Sequence, residues 1–61
     1  MGHRIRDLRE AAELTQEQLA HRAEISRDSV LRTENATHSP SFDHLARIAR
    51  ALGVPVVSLF N

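Results

Sequence analysis

Four side chains in one short segment carry most of the chemistry this sequence offers: Arg27, Asp28, Leu31 and Arg32. On a helix they share one outward face. An arginine presents a planar fork of donors that matches a phosphate, or O6 and N7 of guanine. Asp28 either accepts from cytosine N4, or caps its helix and orients Arg32 four residues on. Leu31 would meet a thymine methyl or a neighbouring subunit. Other chemistries find no foothold. His3, His21, His38 and His44 show no metal-ligand spacing, and there is no cysteine, so no metal site or cofactor is expected. Serine, histidine and aspartate are present, but no nucleophile elbow places them together. No glycine-rich phosphate loop appears, and the chain has no room for a buried substrate pocket. An enzyme is not expected.

The elements that must position these groups are helices. Apolar residues recur at helical spacing, with no sustained alternation of the strand kind. Gly2, Gly53, Pro40 and Pro55 are the strong breakers. A first helix spans His3 to Ala12, with Ile5, Leu8 and Ala12 inward and Arg4, Arg6, Asp7 and Glu10 toward solvent. A second begins at Thr15, where Thr15 and Gln18 have the form of a capping box; Leu19, Ala20 and Ala23 face inward. A third begins at Ser26, whose hydroxyl caps it, with Val30 inward beside Ser29 and Thr33. Asn35 to Pro40 reads as a loop. Ser41 caps a fourth helix with Phe42, Leu45, Ile48, Ala49 and Leu52 as its apolar face, closed by Gly53. Arg47 and Arg50 lie on its outer face, read as solvated, with phosphate or a dimer mate as the alternative. Pro55 to Phe60 forms a short last helix.

Composition bounds the rest. The chain has 61 residues, 8 basic and 8 acidic, with 41% hydrophobic residues. A single small all-α domain over residues 1–61 is expected, with a compact five-helix arrangement. A single core of this size supplies only about 3–5 kcal/mol. Zero net charge excludes a polybasic nucleic-acid tail or membrane patch, but not a locally basic face. Every basic residue is arginine. No apolar run suits a membrane span, and the start Met1-Gly2-His3-Arg4 lacks an apolar signal region, so a cytoplasmic location is expected.

The stretch from Leu14 to Glu34 holds two short helices joined by Ala23-Glu24-Ile25-Ser26. A turn of about 3–4 residues sets such helices near 90–120° to each other. The second then projects polar groups from a rod that fits the roughly 12 Å major groove of duplex DNA.

These residues also resemble a known family. Leu14-Thr15-Gln16-Glu17-Gln18-Leu19-Ala20 is similar to the opening of the phage Cro/repressor (XRE-like) helix-turn-helix family. Ile25-Ser26-Arg27, Val30, Arg32 and Glu34-Asn35 resemble its recognition segment. Pro40-Ser41-Phe42, Leu45, Ile48-Ala49 and Ala51-Leu52-Gly53-Val54 resemble its close. The resemblance runs from about Arg4 to Phe60 and implies a lambda-repressor-like domain that binds DNA, usually as a dimer, and regulates transcription. It implies base reading by Arg27, Asp28, Leu31 and Arg32, phosphate contact by Gln16, Ser26 and Asn35, and a partly buried ion pair of Arg9 with Glu34. Glu13 and Glu24 stand where the family favours glycine, Thr33 where it favours a large apolar residue, and Ala36 where it favours glycine. The loop Thr37-His38-Ser39 lacks the usual lysines.

Together these readings predict a sequence-specific regulator, a repressor by expectation, bound as a homodimer to a palindromic operator. Residues 26–35 would enter the major groove of double-stranded DNA. The tail from Val54 to Phe60 has more apolar side chains than so short a helix can bury. Val56, Leu59 and Phe60 are expected in the core, and Val56, Val57, Leu59 and Phe60 around a dimer interface. No membrane partner and no effector-sensing domain are expected, and a bacterial or phage-encoded, nucleoid-associated setting fits. The rival reading is a protein-interaction module, antitoxin-like or anti-repressor, with DNA contact secondary.

Overall fold

The computed structural model describes residues 2–35 and 40–60. They form four α-helices, α1 (Gly2–Ala11), α2 (Gln16–Ala23), α3 (Arg27–Glu34) and α4 (Phe42–Leu52), followed by a 3-10 helix, Val56–Phe60. No strand occurs among the described residues. None of the helices is long and apolar enough to cross a membrane.

Each helix boundary has a local cause. Thr15 Oγ1 accepts from the amide of Gln18 at 3.1 Å, and Gln18 Oε1 accepts from the amide of Thr15 at 2.9 Å, which completes the capping box. Ser26 Oγ accepts from the Ser29 amide at 3.1 Å and Ser41 Oγ from the His44 amide at 3.2 Å. Such caps contribute about 0.5–2 kcal/mol each. Three helix ends close through a left-handed residue: Glu13 (φ 59°), Glu24 (φ 58°) and Gly53 (φ 74°). In each, the next amide reaches back five residues: Leu14 to the Arg9 carbonyl, Ile25 to Ala20, and Val54 to Ala49, at 3.0–3.1 Å. Two of these positions therefore hold a side chain where glycine would be unstrained, at about 1–2 kcal/mol each.

The core gathers Ile5 from α1, Leu19, Ala20 and Ala23 from α2, Val30 from α3, Leu45, Ile48 and Ala49 from α4, and Leu59 from the 3-10 helix. Thr33 is also buried, and its hydroxyl is satisfied by donating to the Ser29 carbonyl at 2.8 Å. A threonine can thus occupy an inward position without an orphaned polar group.

Several expectations need correction. Gly2 is the first residue of α1 rather than a breaker. It lies against α3 so closely that a Cβ there would run into the carbonyl oxygens of Thr33 and Glu34. Ala12 is exposed, because α1 ends at Ala11 and Ala12 belongs to the turn that Glu13 closes. Arg4 is not purely solvent-facing: its Nε donates to the Ser58 carbonyl at 3.0 Å, tying α1 to the 3-10 helix. Phe42 is 71% exposed. It is the first residue of α4, and helical side chains lean toward the N-terminus, so its ring projects past the last turn it could cover. The last helix is 3-10 and begins at Val56 rather than Pro55. With about three residues per turn it cannot turn both Leu59 and Phe60 inward; Leu59 is buried and Phe60 is 57% exposed. The readings of Ala36 and of the loop Thr37-His38-Ser39 lie outside the described residues.

Candidate nucleic-acid interface

The helix pair α2–α3 is fixed from both sides. The left-handed turn at Glu24 reverses the chain, Ser26 starts α3, and Val30, Thr33 and Glu34 bury its inner face. What remains outward on α3 is Arg27, Asp28, Leu31 and Arg32, all exposed; Leu31, at 39%, is the least so of the exposed large apolar residues. Asp28 Oδ2 lies 2.9 Å from Arg32 Nε. Both side chains are well exposed, so the pair adds little stability. It does set the direction in which the Arg32 fork points.

Beside this face, Arg9, Leu14, Thr15, Gln16, Glu17 and Arg27 line an open concavity. The N-terminal ends of both α2 and α3 contribute to it. The first-turn amides of a helix lack partners within the helix, and its N-terminus carries partial positive charge, so this end of the pair favours an anion.

Behind the concavity lies a polar network centred on Glu34, whose side chain is 1% exposed. Arg9 Nε donates to Glu34 Oε2 at 2.7 Å and Arg9 Nη2 to Oε1 at 3.3 Å. Arg9 Nη1 donates to the Leu14 carbonyl at 2.8 Å. Gln16 Nε2 donates to Glu34 Oε1 at 3.2 Å, and Arg6 Nε stands 4.0 Å from the same oxygen. The hydrogen bond to Glu34 raises the Arg9 pKa above its ordinary value, against the opposing effect of burial. No buried side-chain nitrogen or oxygen among the described residues lacks a partner. The network joins α1, the start of α2 and the end of α3, and so fixes the angle between the two helices of the pair.

The remaining candidates fall as follows. The Ser26 hydroxyl is engaged in its cap and shares a 2.9 Å hydrogen bond with Ser29 Oγ. Asn35 is exposed at the end of α3, with its amide bonded to the Leu31 carbonyl at 3.0 Å. Val57 and Phe60 are exposed on the 3-10 helix, Val56 is half-buried, and Leu59 has no exposed surface. Leu59 therefore cannot form part of a contact surface. Among the described residues, no group of three histidine or carboxylate side chains is placed to hold a metal ion.

A family model described as a helix-turn-helix domain matches residues 1–59. The chain belongs to the helix-turn-helix domain family. This is not a family of enzymes. The chain is 37% identical over 59 residues to the immunity repressor protein of Bacillus phage phi105, covering 97% of this chain and 41% of that protein. It is 34% identical over 58 residues to the cryptic phage CTXphi transcriptional repressor RstR of Vibrio cholerae, covering 95% of this chain and 52% of that one. It thus spans about half the length, or less, of these two relatives. The crystal structure of the restriction-modification controller protein C.AhdI from Aeromonas hydrophila superposes with a TM-score of 0.95 at 34% identity, covering 97% of this chain and 89% of that one.

Around this helix-turn-helix unit, two contacts escape the sequence. The bond from Gln16 to Glu34 crosses 18 positions, and nothing in the local pattern announces it. The close approach of Gly2 to α3 has no such signal either, since a glycine at the start of a helix reads equally as a breaker.

Proposed function

We propose that this helix-turn-helix chain is a DNA-binding transcriptional regulator that inserts α3 into the major groove. The observation that carries the reading is the juxtaposition of two features. α3 turns Arg27, Asp28, Leu31 and Arg32 outward, and the N-terminal ends of α2 and α3 flank an anion-favouring concavity beside them. In this reading the α2 end, with Gln16, sits on the phosphate backbone and sets register. Arg27 and Arg32 read guanine edges, Asp28 holds the Arg32 fork, and Leu31 packs on a thymine methyl. Ser26 and Asn35 approach phosphate from the two ends of α3, Ser26 through its shared hydroxyl.

The functional unit is a symmetric dimer joined through Val57 and Phe60, with Val56 at the edge. Two-fold symmetry places the recognition helices about 34 Å apart on a palindromic site. Regulation follows from occlusion of promoter DNA. The 34% and 37% identities to two phage repressors support the regulatory part of this reading.

Selection from random duplex DNA at moderate salt, using the purified folded protein, tests it. Enrichment of a palindrome with half-sites about 10 bp apart is the expected result. Failure to enrich any sequence would overturn it in favour of a module that binds another protein.

A further inference from the structure

The arginines of this chain are unevenly committed. Among the described residues, Arg4 holds the Ser58 carbonyl, Arg6 and Arg9 face Glu34, Arg32 pairs with Asp28, and Arg47 Nε donates to Asp43 Oδ2 at 3.0 Å. Of the other three, Arg27 belongs to the proposed DNA face. Arg22 and Arg50 have no hydrogen-bond or ion-pair partner among the described residues. They come from different helices, yet they line the same cleft, between the end of α2 and the outer face of α4. Its other walls are Ala23, Glu24, Asp43, Ala46 and Arg47. None of these residues lines the concavity beside α3.

We propose that this cleft is a second binding surface, which takes an acidic segment of a partner protein. Two free guanidinium forks suit carboxylates, which they bind through paired, charge-assisted hydrogen bonds. Ala23 and Ala46 are small, so an extended segment can settle between the helices. Glu24 and Asp43 decide between a protein and a nucleic acid. A duplex meets a protein with phosphates, about one negative charge every 1.7 Å of its axis, and their oxygens only accept, so it has no donor to set against the two acidic walls. A peptide can set a carboxylate against Arg22 and another against Arg50, and place hydroxyl or amide donors against Glu24 and Asp43. The site lies at the opposite end of α2 from Gln16, about 12 Å along an eight-residue helix. It is therefore open to a partner while α3 occupies DNA, and it does not depend on the DNA reading being correct.

The test is a titration of the full chain with an alternating glutamate–serine hexapeptide, followed by NMR of the arginine Nε–H signals. Saturable shifts confined to Arg22, Arg47 and Arg50 are expected. The double variant R22Q/R50Q should bind the peptide at least about tenfold more weakly, since each lost charge-assisted bond exceeds the 1.4 kcal/mol equivalent to that factor. The same variant should keep its circular dichroism spectrum and its affinity for selected DNA. Shifts of Arg27 and Arg32 equal to those of Arg22 and Arg50, or no saturable shift at all, would overturn the proposal. So would a shallower salt dependence of DNA binding in R22Q/R50Q, which would give the cleft to phosphate instead.

Discussion

Gln16 Nε2 donates to Glu34 Oε1 across 3.2 Å, joining the rim of the concavity to a carboxylate almost wholly out of water. The side chain that would meet the DNA backbone is thus held by the same buried group that Arg9 neutralises. In the proposed reading, position on DNA and stability of the fold share one carboxylate.

That sharing makes Glu34 a sensitive position. Removing one partner of a buried ion pair costs about 3–5 kcal/mol, comparable with the whole stability of a single core of this size. Glu34→Ala is expected to be largely unfolded at room temperature by circular dichroism. Arg9→Met combined with Glu34→Leu should refold, because an apolar replacement of both partners carries no desolvation penalty. It should still bind DNA less well than the parent, since Gln16 has lost its anchor. A cooperative melt of Glu34→Ala within a few degrees of the parent would contradict this account. The raised Arg9 pKa adds a pH expectation. A cation whose folded-state pKa is raised gives its full stability at every pH below the unfolded value and loses it as pH rises through the folded one. The contribution of Arg9 should therefore be flat through neutrality and fall only in strong alkali.

Glu13 and Glu24 offer a stabilisation in the opposite direction. Both hold left-handed φ values of 59° and 58°, where a glycine would be free of Cβ strain. Glu24→Gly should raise stability by up to about 1 kcal/mol, the relieved strain being partly offset by the greater freedom of glycine in the unfolded chain. Urea denaturation would show a higher midpoint with an unchanged slope. A lower midpoint would mean that the Glu24 side chain contributes more than its backbone strain removes.

Gly2 makes the reverse case. A methyl group there would collide with the carbonyl oxygens of Thr33 and Glu34, backbone atoms that cannot swing aside. Gly2→Ala should cost about 1–3 kcal/mol, as overpacking does, although alanine is the better helix former. Thermal melting gives the sign directly: a rise in Tm would mean that α1 does not approach α3 this closely.

How far the sequence reveals this molecule depends on the range of the interactions. Caps, left-handed turns and one-sided stripes are local, so Thr15, Ser26, Ser41 and Gly53 could be read in advance, and so could the outward face Arg27, Asp28, Leu31 and Arg32. The pairing of Arg9 with Glu34 came from the family pattern rather than from spacing. Contacts between distant segments, such as Gln16 with Glu34, Arg4 with Ser58 and Gly2 under α3, have no periodic signature. Phe42 and Phe60 are exposed for a related reason: an apolar residue at the end of a helix is buried only if something lies beyond the end.

The outward face of α3 separates the roles of two arginines. Arg32 is directed by Asp28 at 2.9 Å, whereas Arg27 also lines the concavity with Gln16. Arg32→Ala should cost about 1–3 kcal/mol on the selected site and relax preference at one base pair. Asp28→Asn should weaken the same preference without changing the salt dependence. Arg27→Ala should also cost about 1–3 kcal/mol and relax a second base pair. If it instead weakens all sequences alike and lowers the salt slope by about one, Arg27 is a phosphate contact. Binding measured on the selected duplex and its single-base variants at two salt concentrations distinguishes these outcomes.

The exposed apolar pair of the 3-10 helix bears on assembly. Val57 is 66% and Phe60 57% exposed, while Leu59 beneath them is fully buried. Substituting Val57→Ser and Phe60→Ser should therefore leave the core and the helical circular dichroism of each protomer nearly unchanged, since surface changes usually stay within about 0.5 kcal/mol. If these residues join two copies, the variant should sediment as a monomer and lose the affinity gained when two linked half-sites are engaged together, a gain of about 10²–10⁴. Binding to a single half-site should be unaffected. A variant that keeps full affinity for the palindrome would show that the copies meet elsewhere, and Phe42, exposed at the start of α4, would be the next surface to substitute.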